Sequence, residues 1–179
     1  YGFHGTSHRF VSHRAAELLG RTGDPDLRVV TCHLGNGCSV AAIRGGRTVD
    51  TSMGFTPLEG LVMGSRSGDL DPAILLHVMS QEELGAAEVN ALLNKHSGLL
   101  GISGLSNDMR KLLEAEAAGN DRAKLAGDLV CYRLRKYVGG YAAVLGRLDA
   151  VVFTGGIGEG SAMLRAAVVH GLAVLGLQL

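Results

Sequence analysis

Residues 27–53 read LRVVTCHLGNGCSVAAIRGGRTVDTSM, three β-prone runs cut by two glycine-rich turns. Leu27 to Leu34, Ser39 to Ile43 and Thr48 to Met53 are predicted as consecutive antiparallel strands, because Gly35-Asn36-Gly37 and Arg44-Gly45-Gly46-Arg47 are tight-turn sequences. A fourth β-prone run, Ala150-Val151-Val152-Phe153-Thr154, lies far along the chain and leads into Gly155-Gly156-Ile157-Gly158-Glu159. Two glycine loops thus each follow a strand. Glycine admits positive φ and lets backbone N–H groups approach an anion with no Cβ in the way, so the pair reads as a phosphate-handling signature. A third stretch, Met63-Gly64-Ser65-Arg66-Ser67-Gly68-Asp69, sets an arginine among small residues, and the planar fork of arginine suits phosphate.

Helical signals fill the space around these runs. Thr6 and Ser7 are predicted N-caps for a helix through Phe10, Val11, Leu18 and Leu19 that Gly20 closes. The aperiodic stretch from Asp50 to Asp71 mixes apolar and polar residues and is predicted to be an ordered functional loop. Asp71-Pro72 is an N-cap and N1 pair for a helix through Val78, with a second helix from Glu82 to Asn94. Ser106 is the predicted cap of a helix through Leu113, and Asp121 to Leu145 forms one long apolar-periodic segment whose Gly139 and Gly140 are expected to mark close packing. After Thr154, Leu164, Val168, Leu172 and Leu175 recur at helical spacing. The order of strands, helices, strand and helix predicts an α/β layered domain with a mixed sheet.

Composition narrows the function classes. With 179 residues, 46% hydrophobic and 19% charged, the chain can bury the core of one ordinary domain. Seventeen basic residues balance seventeen acidic ones, so no overall field favours nucleic acid or an anionic membrane. Anion specificity must be local. The apolar runs fall well short of the ~20 residues that span a bilayer, and Cys32, Cys38 and Cys131 lack CxxC spacing, which suits reduced core thiols and a cytoplasmic location. The chain opens at Tyr1 rather than Met and stops at Leu179, so both ends are expected to be cuts.

Several familiar motifs fail. No Gly-Lys dipeptide occurs, which excludes a Walker P-loop, and Gly156-Ile157-Gly158-Glu159-Gly160 lacks the final glycine spacing of a dinucleotide fingerprint. A strand, glycine turn and helix start still bind phosphate or nucleoside through oriented amides, although each loop taken alone is equally a plain tight turn. His4 and His8 stand four apart, but Gly5 spoils a zinc geometry, and His8 with His13 reads as a surface or capping pair. His4, in a glycine-flanked turn, is the histidine that could face a cleft. Asp69-Leu70-Asp71 lacks the glycine and glutamate of a calcium loop, so helix capping explains Asp71. Arg66 is either a solvated loop cation or a phosphate ligand.

Taken in order, Phe3-His4-Gly5-Thr6-Ser7-His8, His33-Leu34-Gly35-Asn36-Gly37, the run from Asp50 to Gly60, Met63 to Asp69, Ser103-Gly104, Ser106 to Arg110 and Phe153 to Glu159 resemble the acetokinase family along essentially the whole chain. The resemblance implies the superfamily of acetate and sugar kinases, chaperone ATPases and actin, in which two ribonuclease-H-like domains enclose an ATP cleft. Residues 1–179 would form most of the C-terminal domain, with 1–20 as a lead-in turn and helix and 26–179 as the core.

The implied activity is acetate kinase: reversible ATP-dependent phosphorylation of acetate to acetyl phosphate by direct in-line transfer, using ATP/ADP and Mg2+, in a cytoplasmic homodimer with no nucleic-acid or membrane partner. By the same resemblance His33, Leu34, Gly35, Asn36 and Gly37 hold phosphates. Asp108, Met109, Arg110, Gly155, Gly156, Ile157, Gly158 and Glu159 hold the nucleoside. Phe3 and Pro57 line the acetate methyl pocket, while His4 and Arg66 stabilise the transferring phosphoryl group. No metal ligand is assigned, because the family's metal and further catalytic residues fall in segments that this sequence does not contain. Gly160 stands where the family commonly has Asn, and Ser65 replaces a common Thr. The alternatives are a propionate or butyrate kinase of the same family, or a non-catalytic ATP-binding module of the superfamily.

Overall fold

The computed structural model describes residues 2–179, so Tyr1 lies outside the described residues. Its centre is a strand that is apolar or small on both sides. In β1 (Arg28–Leu34), Val30, Cys32 and Leu34 join the main core cluster, while the alternate residues Thr31 and His33 face a helix on the other side. A strand buried on both faces reads as a continuous apolar run, which is why its sequence shows so little alternation. β2 (Cys38–Arg44) and β3 (Arg47–Thr51) follow as antiparallel hairpins, as their turn sequences demand.

β4 (Ala150–Thr154) pairs parallel to β1, with Val29 opposite Ala150 and His33 opposite Thr154, giving a mixed sheet of order β3-β2-β1-β4. One face carries α1 (Gly5–Leu18), which packs on β1 and β4. The other carries the long helix α6 (Asp121–Leu145) with its partners α4 (Gly98–Ser103), α5 (Met109–Ala117) and α8 (Ala162–His170). Completing the order are α2 (Pro72–Gln81), α3 (Ala86–Lys95) and the short α7 (Gly155–Gly160). Along α6, Ala126, Val130, Leu134, Val138, Tyr141 and Leu145 recur every three or four residues and are buried. Each fully buried leucine or valine of that stripe contributes about 1.5–3 kcal/mol of apolar transfer.

Several local expectations need correction. Thr6 and Ser7 do not cap α1. The N-cap is His4, at φ 55°, and Ser7 inside the first turn sends its hydroxyl to His33 instead. α5 is capped by Asp108, whose carboxylate accepts the Arg110 amide, while Ser106 accepts the amide of Asp108. α3 starts at Ala86 rather than Glu82, because residues 82–84 form the closing turn of α2 with Glu83 at φ 52°. Gly139 and Gly140 mark no close approach: a Cβ on either would meet nothing within 4 Å among the described residues.

The loop from Ser52 to Asp71 contains no helix, yet Ser52, Met53, Leu61, Val62 and Met63 are buried in it. Asp69 fastens it by accepting the Gly60 amide while its own amide donates to the Gly60 carbonyl. All three cysteines are free, and burial pushes the Cys32 thiol up to about 12 and the Cys38 thiol to about 11. No helix among the described residues is long and apolar enough to cross a membrane.

Candidate active site

Because β1 and β4 are parallel and end in register, the loops that follow them leave the sheet side by side. Gly155 makes this possible. It sits at φ +79°, and a Cβ there would come within 2.6 Å of the Leu34 carbonyl, so a side chain is excluded by both conformation and space. The β1–β2 turn closes on itself through the Gly35 amide and the Gly37 carbonyl. Asn36 then ties two further segments to that turn. Its carbonyl accepts the Gly64 amide and its side-chain oxygen accepts from Asn107 ahead of α5.

These segments bound an open cleft of about 670 Å³. Gly35 and Asn36 form one wall, Asn107 to Arg110 a second, and Gly156, Ile157 and Ser161 a third. That volume suits a small-molecule or cofactor pocket. The exposed Arg110 is held back by a 2.7 Å ion pair with Asp108, and the Arg110 hydrogen bonds hold the Asp108 carboxyl down at about 2. Not every residue expected at the nucleotide lines the cleft. Leu34 is buried in the core, Gly158 is buried against Phe153 and Leu34, and the Glu159 carboxylate accepts from the Thr154 hydroxyl.

A second constellation lies at the Gly37 end of the same turn. His4 stacks on His33, with centroids 4.1 Å apart and planes 20° from parallel. The space a Cβ on Gly37 would fill is 3.2 Å from Arg66 Nη1 and 3.6 Å from His4 Nε2. Arginine and imidazole therefore converge on one backbone glycine. The hydrogen-bond partners of Arg66 are uncharged, the Pro57 carbonyl and the Met63 sulfur, which leaves its charge uncompensated by any of them. His4 is pushed below the ordinary histidine value, mainly by burial, then by His33 and Arg66, and burial likewise lowers His33. Both rings are therefore neutral at neutral pH. Phe3 packs against the core cluster and Pro57 offers its carbonyl to Arg66; neither lines the cleft.

The expectation for His8 is overturned. It is no surface residue: it is 4% exposed, its Nδ1 lies 2.7 Å from the Thr31 hydroxyl and its Nε2 2.7 Å from the Ser39 hydroxyl. Ser39 lies 2.8 Å from His4 Nδ1 as well. His13 is exposed, as expected. Sequence reasoning assigned no site role to Ser7, read as a helix cap, nor to Thr31, Ser39 or Asn107. The available signal was polar residues set within otherwise apolar strands, Thr31 and His33 on β1 and Ser39 on β2.

Comparison with known proteins gives the family and the fold. The family model of the acetokinase family matches residues 1–179. The acetate kinase of Symbiobacterium thermophilum is 60% identical over 176 residues, which cover 98% of this chain and 44% of that relative. Among solved structures, Porphyromonas gingivalis acetate kinase superposes with a TM-score of 0.95 at 50% identity, covering 99% of this chain and 44% of its own. A Francisella tularensis propionate kinase superposes with a TM-score of 0.91 at 47% identity, covering 98% and 44%. The chain thus spans less than half the length of these relatives.

Proposed function

Since the chain belongs to the acetokinase family and carries its actin-like ATPase architecture, we propose that the protein containing it phosphorylates acetate reversibly from ATP, yielding acetyl phosphate and ADP. The observation that carries this reading is the convergence of Arg66 and His4 on Gly37, at the end of the turn whose other side walls the cleft. In this reading the nucleotide occupies the cleft, with Gly35 and Asn36 at its phosphates and Asn107 to Arg110 with Gly156 and Ile157 around the nucleoside. The γ-phosphoryl group then sits over Gly37.

Phosphoryl transfer spreads charge over equatorial oxygens, so catalysis is positioning and electrostatic stabilisation. Arg66 supplies the fixed cation and the fork that bridges phosphoryl and carboxylate groups, and His4 supplies a neutral N–H donor. An acetate oxygen attacks phosphorus as the bond to the β-phosphate oxygen breaks. The side chain that most resembles an activated nucleophile, Ser39 between two imidazoles, has no exposed surface and cannot reach a phosphoryl group. Mg2+ belongs to this reading as the counter-ion of the nucleotide phosphates. Among the described residues no cluster of three or more His, Cys, Asp or Glu side chains is placed to hold a metal, so no residue of this chain is assigned to it.

The test is stereochemical. In the full-length protein, chiral γ-phosphate should be transferred to acetate with inversion, and labelled ATP without acetate should leave no acid-labile phosphate on the protein. Retention of configuration would replace direct transfer by a phosphohistidine route. The likeness to a propionate kinase supports a second reading of the acceptor. Comparing kcat/KM for acetate, propionate and butyrate decides it, and a preference for a longer acid would displace acetate.

A further inference from the structure

Three buried side chains form a continuous line behind the half-buried His4: Thr31, His8 and Ser39, joined to one another and to His4 at 2.7, 2.7 and 2.8 Å. Thr31 and Ser39 are 0% exposed. They come from three elements, β1, α1 and β2, so the line holds only in the assembled fold. We propose that Ser39 is a positioning residue that sets the tautomer of His4, donating its hydroxyl proton to His4 Nδ1 so that the Nε2–H is left to face Gly37 and Arg66. This rests on the reading of His4 as a phosphoryl-site donor.

Proton counting along the line supports the direction. A neutral imidazole has one N–H and one lone pair, and a hydroxyl has one proton to give. His8 is neutral, since burial foremost, with His33 and His4, lowers it to about 4. Two polarities are then consistent with the distances. In one, Thr31 donates to His8 Nδ1, His8 Nε2–H donates to Ser39, and Ser39 donates to His4 Nδ1. In the other every bond reverses, and neutral His4 presents a bare lone pair at Nε2. The reversed line would aim that lone pair at the anion that Arg66 attracts, where it repels. The first line aims an N–H there.

The same contacts account for the backbone at His4. Its left-handed φ of 55° is strained for a non-glycine residue and persists only where surroundings hold it. Stacking on His33 fixes the ring plane, and Ser39 fixes which ring edge turns inward. Ser39 accepts at the same time as it donates, and so links His8 to His4 by a pair of hydrogen bonds.

The experiment uses full-length protein with 15N-labelled histidine. The His4 resonances are assigned by their loss in His4→Gln. In the wild type at neutral pH, His4 Nε2 should show the shift of a protonated ring nitrogen and Nδ1 that of a bare one. Ser39→Ala should move both towards tautomeric averaging and lower kcat roughly tenfold to a hundredfold, the scale seen when outer-shell partners of a working imidazole are removed, with KM for ATP and acetate held. Ser39→Cys, which keeps a weaker donor, should recover part of the loss. A wild-type spectrum with Nε2 bare overturns the proposal without any variant. So does a Ser39→Ala enzyme with full kcat, or one that is slow while the His4 shifts stay put. If the protein shows no acetate phosphorylation at all, the functional reading falls, and the His4 spectrum still decides the tautomer.

Discussion

In the proposed reading Arg66 and His4 divide the work at Gly37 between charge and directed hydrogen bonding, and substitution separates the two. Arg66→Ala in the full-length protein should lower kcat by about three orders of magnitude, the scale of phosphoryl-transfer arginines, with little change in ATP affinity. Lysine should rescue poorly for want of the planar fork. A variant that keeps most of its kcat would return Arg66 to a plain loop cation. His8 predicts a stability effect instead. An unfolded histidine binds its proton near pH 6.5, whereas folded His8 resists it down to about 4. The unfolded state therefore holds more protons between those limits. The stabilisation is complete above pH 6.5 and is lost as pH falls towards 4, on the order of 3 kcal/mol in all. The lowered values of His4 and His33 add in the same direction. His8→Gln should flatten that slope in acid denaturation, and an unchanged slope would remove His8 from the account. The glycine company of His4 and Arg66 made them legible as candidates in the sequence. His8 was not legible, because a helical position does not reveal that Thr31 and Ser39 wait beneath it.

The two glycines that open α7 do different jobs, although neighbours in sequence. Gly156 has room for a Cβ, since nothing among the described residues lies within 4 Å of it, and it lines the cleft. Gly156→Val should leave thermal stability nearly unchanged and sharply weaken ATP binding by titration calorimetry. Undiminished binding would remove the loop from the nucleotide site. Gly155→Ala should instead lower the melting temperature, because its φ of +79° and the Leu34 carbonyl at 2.6 Å oppose any Cβ. At this scale the strands and α6 were legible within a residue or two, since turn glycines and apolar spacing are local signals. Caps were less so. Ser106 and Asp108 are both competent acceptors, and only the path of the chain into α5 selects Asp108. Gly139 and Gly140 looked like packing glycines, yet their surface is open, and nothing in the structure explains them.

The sequence predicted a mixed sheet, and the structure specifies it by laying β4 beside β1 in parallel register. No local signal fixes that pairing, because the partners are separated by β2, β3 and five helices. Its consequence reaches into how the molecule comes to be folded. Hairpins and helices close small loops and form early, whereas a pairing that joins Val29 to Ala150 must wait for a large loop to close. The two glycine loops stand side by side only after that late step, so in the proposed reading full nucleotide affinity arrives with it. During refolding of the full-length protein, capture of a fluorescent ATP analogue should lag behind recovery of far-ultraviolet circular dichroism. Coincident phases would show that the pairing forms early. Under the proposed function, a chain built in this way takes up its nucleotide only after its most distant strands have met.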